Sequence, residues 1–176
     1  MAVADLEHLR IDDPSIDDER AARFWLIIKD LDTVLHKEGH PVERKVVSGT
    51  KTLHPLLPNL VFPIDNKYTG MFFGLRDFGP HQEKCFKDVF RRVVTIARAV
   101  APQSYVGEGW NSCTTKVLDN AIIGYCLSEG PEAIIESIES FAKQRGREDL
   151  LEPGRTADLT KWVREELRDT ELPPQS

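Results

Sequence analysis

Apolar residues in this chain recur at helical spacing and do not alternate. Phe24, Ile27, Ile28, Leu31 and Leu35 make one stripe. Phe86, Val89, Phe90, Val93, Ile96, Ala97 and Val100 make a second, and Ile134, Ile135, Ile138 and Phe141 a third. Residues three and four apart share a helix face, whereas a half-buried strand needs period two. No alternating run, internal repeat or low-complexity segment stands against that pattern. The fold class it predicts is all-α, a domain of about six to seven helices.

The breaks set the expected boundaries. Asp13-Pro14-Ser15 reads as a turn and helix start, with a first helix from about Ile16 or Asp17 to Lys37. Its early acids Asp17, Asp18 and Glu19 suit the positive end of the helix dipole. Gly39-His40-Pro41 ends it. Further helices are expected over 81–100, 115–127, 131–144 and 157–169, with loops at 74–81, 101–114 and 144–156 punctuated by Gly and Pro. The helix over 115–127 is nearly apolar all round and is expected at the centre, packed by those over 16–37, 81–100 and 131–144. Residues 1–13 read as a flexible acidic arm, 14–170 as a single helical domain and 171–176 as a disordered tail.

Between the first two long helices lies the densest apolar stretch, Lys45 to Phe73. Ser48-Gly49-Thr50 reads as a turn or helix start. A short helix through Lys51, Leu53, His54, Leu56 and Leu57 follows, with Pro55 in its first turn. Pro58 and Asn59 end it, and Leu60 to Ile64 is an extended connector, since a residue before proline avoids the α region. Asp65 then stands where it would cap a helix over 66–73.

Length, charge and cysteines narrow the class. A chain of 176 residues, 40% hydrophobic and 30% charged, suits one soluble globular domain with a real core. A net charge of −6 argues against tight non-specific binding of nucleic acid, although a local basic face remains open. Cys85, Cys113 and Cys126 form no C-x-x-C pair, so reduced thiols in an intracellular, cytoplasmic protein are expected. The N-terminus is acidic and does not read as a signal peptide. No apolar run approaches the roughly 20 residues of a membrane helix.

The central stretch carries a resemblance. T-K-T-L-H-x-L-x-P-x-L-V-x-P-I-D, with T-K-V-L-D-N-A far downstream, resembles uncharacterised microbial proteins bearing a K-x-L-H-x-x-x-P-x-L-x-P-x-x-D signature. More distantly it resembles the core of the helix-hairpin-helix DNA glycosylases: Gly-Thr-Lys on a hairpin, a short helix, an apolar connector ending in Pro-x-Asp, then another helix. That likeness implies a phosphate-binding hairpin at Ser48-Gly49-Thr50, a nucleophilic Lys51 and a catalytic acid at Asp65. Val47 stands where the family has a first hairpin glycine, and the intervening helix is shorter than usual.

Each candidate has an ordinary structural alternative. Asp65 can be only a helix cap and Lys51 only a surface residue. His54, three residues after Lys51, shares its helix face and can equally be a core histidine bonded to backbone. Trp110 and Tyr105, beside Gly107 and Gly109, suit ligand stacking or loop anchoring. Asp119, three after Lys116 in an apolar helix, needs a partner, and Lys116, Lys51 or a backbone amide would serve. With His54 and Trp110, this pair makes the candidate ligand pocket. The strip Lys84, Lys87, Arg91, Arg92 and Arg98 can touch phosphates, chiefly through Arg91 and Arg92, or be a solvated face. His36 and His40 stand four apart but lack a carboxylate partner, and Gly107 to Lys116 lacks the spacing of a phosphate loop, so neither a metal nor a cofactor is expected. Two classes of function follow. One is a nucleic-acid-associated helical domain, with or without glycosylase chemistry. The other is a non-enzymatic protein–protein interaction module. No membrane partner is expected.

Overall fold

The computed structural model describes residues 6–31, 36–37, 40–41, 45–75, 81–144 and 153–168. Among them are seven α-helices: α1 (Asp18–Asp30), α2 (Lys45–Leu53), α3 (Tyr68–Phe73), α4 (Gln82–Val100), α5 (Thr114–Ser128), α6 (Gly130–Gln144) and α7 (Pro153–Arg168). One two-residue antiparallel pair, β1 (His36–Lys37) and β2 (His40–Pro41), is the extended exception. The fold is all-α. The expected tail lies outside the described residues.

The helices fall into two compact units, Met1–Asp65 with Phe78–Ala121, and Asn66–Asp77 with Ile122–Ser176. In the first, α1, α2 and α4 pack on one another. Asp17 starts α1 by accepting the Arg20 amide at 2.9 Å. Leu31 ends it with an extended ψ of 125°. The helix is therefore shorter than expected, and His36 and His40 lie on the paired strands. Phe24 packs on Phe90 with centroids 5.4 Å apart, and Trp25 on Phe86 at 5.9 Å. Where α1 meets α2, a Cβ on Gly49 would stand 2.6 Å from Ile28 Cγ2, so the missing side chain permits the contact. A small apolar cavity of about 10 Å³ remains between Phe24, Ile28, Leu53, Phe62 and Val89.

Three expectations change here. Leu6, Leu9 and Ile11 are buried, so residues 6–13 belong to the core instead of an arm. The polar residues Glu7, His8 and Arg10 between them had hidden that apolar set. Ile11 donates its amide to the Asn59 carbonyl at 2.8 Å, and Arg98 holds the carbonyls of Asp13 and Ile16 at 2.7 and 2.8 Å. Second, Ser48-Gly49-Thr50 is not a turn but the middle of α2, which starts at Lys45 and ends at Leu53; Pro55 follows it in a turn. Third, α5 is buried on one side, through Thr115, Leu118, Asp119, Ile122 and Cys126, while Ala121, Gly124 and Leu127 are exposed. The core of the first unit is α1, α2 and α4, not α5.

In the second unit, α3 packs on α6 and α6 on α7. Gly74 ends α3 in the left-handed region at φ 68°, with Ile138 pressed against it. Phe72 meets Tyr125 edge to face at 5.5 Å. Arg164 pairs with Glu132 at 3.0 Å, and Cys126 lies buried with its thiol 3.8 Å from the Tyr68 carbonyl. No described helix is long and apolar enough to cross a membrane.

Candidate functional site

The chain between α2 and α3 runs through turns to Leu60 and is then extended to Asp65. Leu57, Leu60, Val61, Phe62 and Ile64 are buried along it, so its backbone polar groups need partners inside the protein. Side chains supply them. Thr50 Oγ1 accepts the Ile64 amide at 3.1 Å and donates to the Val46 carbonyl at 2.8 Å. Thr115 Oγ1 donates to the Pro58 carbonyl at 2.6 Å. Asn59 Oδ1 accepts the Thr114 amide at 3.1 Å and so caps the start of α5.

His54 completes the network. Its Nδ1 lies 2.9 Å from the Val61 carbonyl and 3.2 Å from Thr115 Oγ1. A carbonyl only accepts, and the Thr115 proton already points to Pro58, so Nδ1 carries a proton shared between the two oxygens. This is the backbone-bonded histidine of the ordinary reading, and it is half-buried.

The pattern that carries this network is a short echo. Thr50-Lys51-Thr52-Leu53-His54 and Thr115-Lys116-Val117-Leu118-Asp119 share Thr-Lys-x-Leu. Both threonines have no exposed surface, and both leucines are buried. Each hydroxyl bonds backbone in the same connector. Spacing of three and four puts Thr, Leu and the fifth residue on one inward face, leaving Lys outward. Thr50 was expected to face a phosphate and instead bonds the connector, while Thr115 and Asn59 were missed; the echo was the signal that could have found Thr115.

The other candidates are placed as follows. Lys51 is exposed at the end of α2, and Asp65 is half-buried. Asp65 is not the N-cap of α3: that position is Lys67, whose side chain makes no capping bond, and the helix starts at Tyr68. Gly49 and Thr50 are buried inside α2, where neither can meet a phosphate. Ser48 lies on the same helix. Arg92 is 7% exposed and bonds Asp88 at 2.7 Å, while Arg91 pairs with Asp18. Lys87 pairs with Glu83 at 2.5 Å, and Arg98 serves the carbonyls of Asp13 and Ile16. The basic strip is therefore largely committed to intramolecular partners. Lys116 and Asp119 do pair, at 2.5 Å, with Asp119 buried. Among the described residues, no cluster of His, Cys, Asp or Glu could hold a metal ion.

Trp110 stands apart from this network. It is 81% exposed, Tyr105 65% and Val106 40%, all on the connection from α4 to α5. That connection is tightly built. Ala101 ends α4 at φ 46°, a left-handed conformation that costs a residue with a Cβ about 1–2 kcal/mol. Turns of 3-10 helix follow at Pro102–Tyr105 and Gly109–Asn111, the second opened by Gly109 at φ 67°. The Gly107 amide donates to the Asn111 carbonyl at 3.0 Å. Asn120 on α5 donates through Nδ2 to the Trp110 carbonyl at 2.7 Å and to Asn111 Oδ1 at 2.9 Å. Pro102 and Cys113 are buried at either end.

Compared with protein-family models, curated proteins and solved structures, the chain gives no match.

Proposed function

We propose that this protein is a non-enzymatic interaction module that binds another protein through the loop bearing Tyr105, Val106 and Trp110. One observation carries the reading: a Trp 81% exposed on a loop whose backbone is held by Asn120 and by two 3-10 turns. Exposed aromatics on a prearranged backbone lose little entropy on binding and supply most of the energy at protein interfaces. The strained Ala101 adds support, because such a conformation persists only where its surroundings over-determine it.

The nucleic-acid reading has less behind it. The hairpin it requires is helix, and Gly49, Thr50 and Arg92 are buried. A photo-crosslinking residue at position 110, expressed in the native cell, should capture one protein that the same residue at exposed Glu136 does not. With that partner purified, Trp110→Ala should weaken binding about tenfold or more. Salt-sensitive binding of duplex DNA, reduced by Arg91→Ala and untouched by Trp110→Ala, would overturn the proposal in favour of the nucleic-acid reading.

A further inference from the structure

The charge around the aromatic loop points to the chemistry of what it binds. From Ala99 to Thr115 the only formally charged residue is Glu108, set between Tyr105 and Trp110 in the sequence and exposed. The nearest cations in sequence are both engaged: Arg98 holds the carbonyls of Asp13 and Ile16, and Lys116 pairs with Asp119. The whole chain carries −6. An exposed indole and phenol present the negative faces of their rings, which attract guanidinium and ammonium groups, Trp most strongly. A carboxylate on the same short loop has the sign to pair with such a group, and no basic side chain of the loop opposes it.

We infer that the partner segment is basic, a stretch of another protein in which Arg or Lys alternates with apolar residues. The inference rests on the reading of the loop as a protein-binding surface and adds the partner's chemistry. The apolar positions pack beside Val106 and the aromatic rings, and the cations lie over the rings and beside Glu108. Arginine suits the site better than lysine, because its planar, weakly hydrated guanidinium stacks on an aromatic face.

The full chain, labelled with nitrogen-15, is titrated with a short synthetic peptide alternating Arg and Leu, and in parallel with its Glu–Leu counterpart. The signal read is the indole N–H of Trp110, assigned by its loss in Trp110→Phe. The expected result is a saturable shift with the Arg peptide and none with the Glu peptide. Glu108→Gln should weaken the Arg peptide by about two- to fivefold, the range of an exposed ion pair, and added salt should weaken it further. Equal response to both peptides, no response to the Arg peptide, or a Glu108→Gln affinity equal to the wild type overturns the basic-partner inference. Those failures leave the docking surface itself intact, because that is judged separately by crosslinking at position 110. A crosslinked partner whose contact segment lacks Arg and Lys would keep the surface and reject its proposed chemistry.

Discussion

Thr115 has one hydroxyl proton, and it goes to the Pro58 carbonyl at 2.6 Å. That direction, with a Val61 carbonyl that can only accept, makes Nδ1 of His54 a donor and therefore decides what can replace it. Asn carries its amide nitrogen near the place of Nδ1 and can donate to Val61; Gln places its amide nearer to Nε2 and cannot without rearrangement. His54→Asn should fold with a loss within about 1 kcal/mol, whereas His54→Gln strands the Val61 carbonyl and should lose about 1–3 kcal/mol. Chemical denaturation of the two variants reads the difference, and equal losses would show that the ring is held by packing alone. A second residue-level case is Asp12. The Arg10 guanidinium bonds it at 2.8 Å and holds its carboxyl below the usual range, and Ser15 does the same for Asp13. Carboxyls depressed in the folded state give stability that is present above their unfolded values, about 4, and is lost as pH falls through the folded ones. The melting temperature should therefore drop on going from neutral pH to about pH 3. Arg10→Gln should flatten part of that drop; an unchanged slope would remove Asp12 from the account.

Glycines separate the helices by what surrounds them. Gly124 sits inside α5 with nothing within 4 Å of where a Cβ would be, so Gly124→Ala should stabilise by up to about 1 kcal/mol through helix propensity. Gly49 sits inside α2 against Ile28, and Gly49→Ala should instead cost about 1–3 kcal/mol from overpacking. Thermal melts of the two variants should shift in opposite directions. A stabilised Gly49→Ala would mean that α1 and α2 can part without penalty. This pair also shows what was legible beforehand. Long amphipathic helices announced themselves: α4 and α6 begin within one residue of their expected starts, because their apolar stripes run unbroken to a Gly or Pro. Helix α2 did not. Its Ser-Gly-Thr centre has turn chemistry locally, and burial against α1 overrides that preference. Asp65 was misplaced for the same kind of reason: an acid after Pro63-Ile64 fits a cap, but α3 forms two residues later than a cap at Asp65 would require.

At the scale of the molecule, the sum of the charge is plain in the sequence and its distribution is not. The net −6 disfavoured nucleic acid, while the strip on α4 argued for it. Most of the strip's cations have intramolecular partners. Asp18 comes from α1, and the Asp13 and Ile16 carbonyls come from the segment before it; no helical spacing on α4 could reveal either. The exposed aromatics Tyr105 and Trp110 were legible, because glycines and a proline surround them. What held their loop was not, since Asn120 reaches it from the next helix.

The thiols carry a further consequence. Cys113 is buried in the first unit and Cys126 in the second, while Cys85 on α4 is half-buried. Thiolate reagents reach a buried sulfur only when the structure around it opens. Each unit therefore contains its own chemical clock. Under native conditions Cys85 should be modified first, and mass spectrometry of timed samples should find Cys113 and Cys126 lagging behind it. Adding denaturant then sets the two slow clocks running. Equal rates for both would mean that the units come apart as one cooperative body, and unequal rates would name the one that opens first.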